Sequence, residues 1–155
     1  MLTAKMARGR FDVSILNYTT AIAVEKSMGE VIGALTRRGV TRISTLFTEE
    51  GPAGIAFTMK TDWGVQEFEL PVKVEGVLRA MTADKSIARS KCTKEQAARV
   101  AWRIAKDWLE AQSALIDAEL ATLDEVMLPY LVIDQRGTTM FQRVREQGLK
   151  ELTAG

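Results

Sequence analysis

The sequence contains no histidine and only one cysteine, Cys92. Without histidine, the chain lacks the usual general base near neutral pH and the commonest ligand of transition metals. A Ser-His-Asp or Cys-His nucleophile is therefore excluded, and so is a structural zinc site. A glycine-rich phosphate loop of either standard spacing is missing too. We therefore expect a protein that is not an enzyme and that needs no metal and no cofactor.

Long apolar runs and an excess of one charge are also missing. No apolar run reaches the roughly 18 residues of a membrane span, and residues 1–10 are not followed by the apolar segment of a secretory signal. A single cysteine excludes an internal disulfide and favours a reducing compartment. The 21 Lys and Arg against 20 Asp and Glu give a net charge of +1, so only local clustering could create an anion site. We expect a cytoplasmic protein without a membrane partner.

The pattern of apolar residues indicates a β-rich first half and a helical second half. Strand-forming residues predict strands over 13–20, 41–47, 55–60 and 65–70. A helix is predicted over 24–38, where Gly29 and Gly33 would allow close packing or ligand approach, and Pro71 is expected to begin another helix. The predicted class is α+β, with a four-stranded, mostly antiparallel sheet (β-α-β-β-β) and then a helical C-terminal half with one long central helix.

The central helix is predicted over 93–120, with Thr93 and Gln96 forming a capping box. Its apolar positions cover roughly half of the circumference, more than the ~100° stripe of an ordinary surface helix. At about 27 residues it would be ~40 Å long, more than one small sheet can cover. We therefore expect a homo-oligomer, most simply a dimer. The predicted interface residues are Trp102, Ile104, Trp108 and Leu115.

Three regions are predicted along the chain. Residues 1–12 form a basic N-terminal arm, residues 13–133 a single α+β domain, and residues 134–155 a C-terminal tail with a short docking helix. Two further capping boxes, Thr122 with Glu125 and Thr139 with Gln142, are expected to begin the short helices on either side of the last boundary.

Seven cations fall within 22 residues, and only Glu95 opposes them there. They lie in a predicted basic loop and on the polar side of the central helix, where a phosphate group could be received. A solvated basic face is the alternative interpretation. The predicted anion-binding residues are Lys85, Arg89, Lys91, Lys94, Arg99, Arg103 and Lys106.

Other reactive groups give weaker patterns. Glu67 and Glu69 would share one face of a strand and could hold a divalent cation, although a solvated strand face has the same pattern. Cys92 lies between Lys91 and Lys94, just before a predicted helix N-terminus, a setting in which a reactive thiol is conceivable. Arg103 and Asp107 have the spacing of a modest surface ion pair on a helix.

Three segments carry a resemblance to known sequences: residues 17–20 (NYTT), 97–116 (AARVAWRIAKDWLEAQSALI) and 124–130 (DEVMLPY). Over residues 14–133 the chain resembles a family of small uncharacterised proteins encoded in bacteriophage and prophage genomes. The resemblance implies a phage origin and the cytoplasm of an infected bacterium. It brings no established activity and no catalytic residue.

Together these observations favour a non-enzymatic phage accessory protein that oligomerises and binds an anionic ligand, either nucleic acid or a nucleotide. The alternative is a protein–protein inhibitor of a host component, for example one used in defence. A metal-dependent enzyme using Glu67, Glu69 or Asp107 is a third hypothesis.

Overall fold

The structure is a computed structural model that describes residues 14–149. The predicted arm over 1–12 lies outside the described residues. Within residues 14–149 the chain is α+β, with three strands and five α-helices. In chain order they are α1 (Val24–Thr36), β1 (Val40–Thr48), β2 (Gly51–Thr61), β3 (Gly64–Pro71), α2 (Val74–Ala83), α3 (Lys94–Asp117), α4 (Leu123–Met127) and α5 (Met140–Gln147).

The sheet has three strands in the order β1-β2-β3, and both pairs are antiparallel. The predicted four-stranded sheet is wrong, because residues 14–20 form a turn. Within this turn Thr20 N donates to Asn17 O (2.9 Å) and Tyr18 N donates to Ile15 O (3.3 Å). Asn17 has a φ of 63°, a left-handed conformation that asparagine tolerates better than most residues and that a strand does not contain.

The core lies between one face of the sheet and the helices. Ile55, Phe57 and Phe68 point from β2 and β3 toward Leu35 of α1 and Trp102 of α3. Phe57 and Phe68 are directly opposite across the strand pair, and their rings stack with centroids 5.4 Å apart. A second apolar cluster lies between α2 and α3, with Met81, Ile87, Ala97 and Val100 as its buried members.

The capping residues and helix starts predicted from the sequence are mostly, but not all, found in the structure. Thr93 caps α3 as predicted, since its Oγ1 accepts from Gln96 N (3.1 Å). The Gln96 side chain does not complete that box. Both capping boxes predicted at Thr122 and Thr139 are confirmed. Pro71 ends β3 instead of beginning a helix, and α2 begins at Val74.

Gly29 is not a point of close packing, which corrects the prediction for α1. Among residues 14–149, and apart from its chain neighbours and the backbone of its own helix, no heavy atom lies within 4 Å of the position where a Cβ would stand at Gly29. The close approach is at Gly54 in β2, where a Cβ would lie 2.6 Å from the Leu70 carbonyl oxygen. Backbone crowding therefore requires glycine in the sheet and not in the helix.

The chain after α4 packs along the free edge of β3. Val132 N donates to Glu67 O (2.9 Å), and Met140 N donates to Leu131 O (2.8 Å). Asp134 Oδ1 accepts from the amides of Arg136 and Thr138. The Thr138 hydroxyl first, and then these two amides, hold the pKa of Asp134 below its usual value. Residues 131–140 thus cover backbone groups that an edge strand would otherwise leave unpaired.

Among residues 14–149, none of the helices combines the length and the apolarity needed to cross a membrane.

Candidate functional site

The seven predicted anion-binding cations do not form one surface. Arg103 is buried, and its Nη1 donates to Glu30 Oε2 while its Nη2 donates to Ser27 Oγ, both at 2.9 Å. It therefore connects α3 to α1 and is not available to a ligand. The predicted surface pair of Arg103 with Asp107 is wrong, because Asp107 accepts instead from Asn17 Nδ2 (2.7 Å).

Lys94 and Lys106 are also occupied by carboxylates. Lys94 Nζ lies 2.5 Å from Glu50 Oε1, and Lys106 Nζ lies 2.5 Å from Glu110 Oε2. In each case the hydrogen bond to the carboxylate raises the pKa of the lysine. These pairs neutralise both charges locally, so an incoming anion would have to compete with a glutamate.

The other four cations, Lys85, Arg89, Lys91 and Arg99, have no ion pair within the part of the chain that the structure describes. Lys91 and Arg99 line one groove of about 330 Å³ beside the first turns of α3. We call it the cationic groove. Its lining residues are Thr19, Thr20, Ala21, Ser90, Lys91, Thr93, Gln96 and Arg99.

Gln96 determines the shape of the cationic groove. Its Nε2 donates to the carbonyls of Tyr18 (3.0 Å) and Thr20 (2.9 Å), which fixes the 14–20 turn against α3. Its Oε1 accepts from Arg99 Nε (3.0 Å). One side chain thus positions both a wall of the groove and one of its two cations.

The hydroxyls in the cationic groove retain donor capacity. Thr20 Oγ1 accepts from Ile22 N (3.2 Å) and Thr93 Oγ1 accepts from Gln96 N. A hydroxyl that accepts a hydrogen bond still carries its own proton for donation. Lys91 Nζ lies 5.9 Å from the centroid of the Tyr18 ring, a cation–π distance that steadies the ammonium beside the groove. The groove therefore offers ammonium, guanidinium and hydroxyl donors together.

Sequence reasoning missed Thr19, Thr20 and Gln96 as groove residues. The pattern predicts a strand over 13–20 and assigns Gln96 to a capping box. The available signal was Asn17, whose turn preference competes with the β-branched residues on either side.

The four predicted interface residues are placed differently from one another. Trp102 is 0% exposed, and its Nε1 donates to Pro52 O (3.2 Å), so it belongs to the core of this chain. Ile104 packs partly against the second apolar cluster. Trp108 meets Tyr130 edge-on, with ring centroids 6.0 Å apart. Only Leu115 is an exposed large apolar residue, at 39%.

The weaker sequence candidates have no supporting geometry. Glu67 and Glu69 do lie on the same face of β3, but no group of three or more carboxylate or cysteine side chains in the described chain is placed to hold a metal ion. The single S–H of Cys92 lies within weak hydrogen-bonding distance of the carbonyls of Met81 (3.6 Å) and Ala88 (3.7 Å), and the side chain packs beside the second apolar cluster.

A larger groove of about 760 Å³ runs between α1 and α3. Its charges are mostly satisfied internally. Arg38 Nη2 lies 2.9 Å from Asp117 Oδ2, and Lys106 pairs with Glu110. Because three carboxylates line this groove together with four cations, whereas no carboxylate of the described chain lines the cationic groove, it favours an anionic ligand less than the cationic groove does.

Comparisons with protein-family models, with curated proteins and with solved structures gave no match to this chain. The resemblance to phage proteins therefore stays a prediction, and function has to be argued from the geometry of the molecule.

Proposed function

We propose that the protein is a non-enzymatic phage accessory protein that binds phosphate groups, carried by a nucleotide or by a nucleic acid, in the cationic groove. The observation that carries the proposal is the convergence of Lys91 and Arg99 in one groove without a carboxylate partner among the described residues. Two such cations that must otherwise be balanced by solvent ions make a favourable site for an anion.

The donor set suits phosphate oxygens. Arg99 uses only its Nε within the described chain, for Gln96, and this leaves its two Nη groups to face a ligand. A guanidinium can donate two parallel hydrogen bonds to a phosphate, and the Thr20 and Thr93 hydroxyls can add single ones. The residues that line the groove include no carboxylate, thiol or imidazole, which supports binding without catalysis.

The two phosphate sources require different numbers of cations. A mononucleotide would fit within the groove and contact Lys91 and Arg99. A nucleic acid strand would continue along the adjoining loop, where Lys85 and Arg89 are exposed. Each phosphate contact to a single strand adds about −0.7 to the slope of log affinity against log salt concentration.

The test measures fluorescence anisotropy with a labelled single-stranded oligonucleotide and calorimetry with a nucleoside triphosphate, each at two salt concentrations. We expect Lys91→Ala and Arg99→Ala to weaken binding of both ligands by about tenfold or more. If the ligand is nucleic acid, Lys85→Ala and Arg89→Ala weaken binding of the oligonucleotide and make the slope of log affinity against log salt concentration less steep. If it is a nucleotide, these two variants leave the affinity unchanged.

Lys94→Ala is the matched control. It removes a lysine from the same segment, but one that is paired with Glu50 and does not line the groove. We expect a change of less than about twofold, because exposed ion pairs contribute little. Absence of binding at low salt for both ligands, or equal losses in Lys94→Ala and Lys91→Ala, would refute the proposal.

A homo-oligomer is a second part of the proposed function, and one feature favours it. Leu115 lies in the last turn of α3 and is 39% exposed, and Leu120 lies three residues after the end of α3 and is 72% exposed. Leu120 N donates to Leu115 O (2.9 Å). Exposed leucines grouped at a helix end are typical of a contact surface. Light scattering tests this part: the double variant Leu115→Ser, Leu120→Ser should be a monomer at concentrations where the native chain is not.

A host protein is the other partner that the same leucines could contact, as an inhibitor would. If the native chain is monomeric and a bacterial protein binds it in a manner that the leucine variant loses, the inhibitor function replaces the oligomer. If the chain is monomeric and its binding to a bacterial protein does not depend on either leucine, neither the oligomer nor the inhibitor function is supported.

A further inference from the structure

A second cavity, of about 510 Å³, lies on the opposite side of α3 from the α1 groove. Its floor is the apolar row Ala101, Ile104, Ala105 and Trp108 of α3. One wall is the end of β3 with the start of α2, and the other is formed by residues 130–142. Its volume is within the range of small-molecule sites. We call it the aromatic cavity.

Three aromatic side chains line the aromatic cavity: Trp108, Tyr130 and Phe141. The Trp108 and Tyr130 rings meet at 88°, so their faces are directed differently. Phe141 is 55% exposed despite the apolar surroundings available to it. Aromatic faces carry negative potential and attract cations, most strongly when water is excluded.

Glu69 is the only carboxylate among the described residues that line the aromatic cavity. Within residues 14–149 its carboxylate makes no hydrogen bond and no ion pair, while its backbone pairs with Ala56 across β2 and β3. Its carboxylate lies beside the turn at Gly137, where a Cβ would be 3.4 Å from Oε1. Partial burial, and then repulsion from Glu67, raises the pKa of Glu69 above its usual value. A cationic ligand would offset both effects, because an opposite charge nearby stabilises the ionised carboxylate.

Lys73 also lines the cavity but does not neutralise Glu69, since no nitrogen of Lys73 lies within 4.0 Å of a carboxylate oxygen in the described chain. The carboxylate and the aromatic rings therefore remain available together. An unpaired carboxylate beside apolar and aromatic surface matches a ligand that has one cationic end and an apolar body.

We propose that the aromatic cavity binds a small hydrophobic amine, with its ammonium group at Glu69 and its apolar body against Ile104 and Trp108. This site is separate from the cationic groove in position and opposite to it in charge, so it does not depend on the proposed phosphate binding. It gives a role to the part of the apolar row of α3 that the core does not cover.

The test compares three probes of similar shape by calorimetry at pH 7: 4-phenylbutylammonium, 4-phenylbutanol and 5-phenylpentanoate. We expect the ammonium to bind at least about tenfold more tightly than the alcohol. Glu69→Gln should remove that preference and leave the affinity of the alcohol unchanged. Ammonium binding by the native chain should also weaken as the pH falls and Glu69 becomes protonated.

Glu67→Gln is the matched control, since it removes a carboxylate from the same face of the same strand that does not line the cavity. We expect it to keep the preference for the ammonium. Ala105→Phe should fill the cavity and abolish binding of all three probes.

The proposal is overturned if the ammonium and the alcohol bind equally, if the carboxylate probe binds best, or if Glu67→Gln and Glu69→Gln have equal effects. It is also overturned if no probe binds, and a change of oligomeric state in Ala105→Phe would then show that a second copy of the chain occupies the cavity.

Discussion

Arg103 and Glu30 form an ion pair that connects α3 to α1, with Nη1 2.9 Å from Oε2. The two partners have unequal access to water: the arginine side chain is 8% exposed and the glutamate side chain 35%. Arg103 Nη2 also donates to the fully buried Ser27, whereas its buried Nε has no partner within the described chain. Arg103 therefore needs Glu30 to compensate its buried charge, whereas Glu30 without Arg103 can be hydrated by solvent.

This difference in exposure predicts which of two substitutions lowers the free energy of unfolding more. Glu30→Ala leaves the Arg103 charge buried without its partner and should lower the free energy of unfolding by about 3 kcal/mol. Arg103→Met keeps most of the volume, leaves a glutamate that can be hydrated, and should cost about 1 kcal/mol. Urea denaturation measures both. Lys106→Met, at a more exposed pair, should change stability by less than about 1 kcal/mol. A larger loss in Arg103→Met than in Glu30→Ala would contradict this account.

The glycines of α1 and β2 are expected to respond in opposite directions to alanine. Gly29 is inside a helix with free space around it, so Gly29→Ala should stabilise the protein by up to about 1 kcal/mol. Gly54→Ala would place a Cβ 2.6 Å from the Leu70 carbonyl oxygen across the β2–β3 pair and should cost about 1–3 kcal/mol. Thermal unfolding of the two variants shows whether each substitution stabilises or destabilises the protein. Destabilisation by Gly29→Ala would mean that a partner or ligand occupies the adjacent groove.

Local signals in the sequence were sufficient for most elements. The capping hydroxyls at Thr93, Thr122 and Thr139 placed three helix starts. The three strands of the meander and the long helix were predicted because period and turn chemistry act within a few residues.

Contacts between residues far apart in the sequence determine the features that the sequence did not predict. Residues 14–20 contain strand-forming side chains, but Gln96 binds two of their carbonyls from 76 and 78 residues away. Arg103 has the spacing of a surface pair with Asp107, yet its partners Glu30 and Ser27 lie on another helix. Which cations remain free could be known only after these partners were located, and the candidate site follows from the cations that remain.

Glu69 gives a pH-dependent prediction. Its raised pKa means that the folded state holds the proton more tightly than the unfolded chain, whose ordinary value is 4.5. The stability that comes from this proton is present below the unfolded pKa and is lost as the pH rises through the folded pKa. Glu69→Gln should therefore be more stable than the native chain at pH 7, and this difference should disappear on acidification to below about pH 4.

Thermal unfolding across pH 3–8 measures the difference between the two curves. Glu146→Gln, at an exposed carboxylate on α5, serves as the control for a general loss of negative charge. A Glu69→Gln variant that is less stable than the native chain at pH 7 would show that Glu69 has a favourable partner in the folded protein.

Gln96 should control the order of the 14–20 turn separately from the stability of α3. Gln96→Ala removes both donors to the turn, so hydrogen exchange at the Thr20 amide, which is bonded to Asn17 O, should accelerate. Gln96→Glu should have the larger effect on ligands, because its carboxylate repels the two carbonyls and pairs with Arg99. We expect about a tenfold loss of phosphate binding in Gln96→Glu.

Thr93→Ala distinguishes the capping of α3 from the support of the 14–20 turn. It removes the cap of α3, at a cost of about 1 kcal/mol, but leaves the hydrogen bonds from Gln96 to the turn in place. Exchange at Thr20 should then follow global stability only. If Thr93→Ala and Gln96→Ala accelerated exchange at Thr20 equally, the turn would depend on the helix end as a whole, and the cationic groove would have no dedicated support from Gln96.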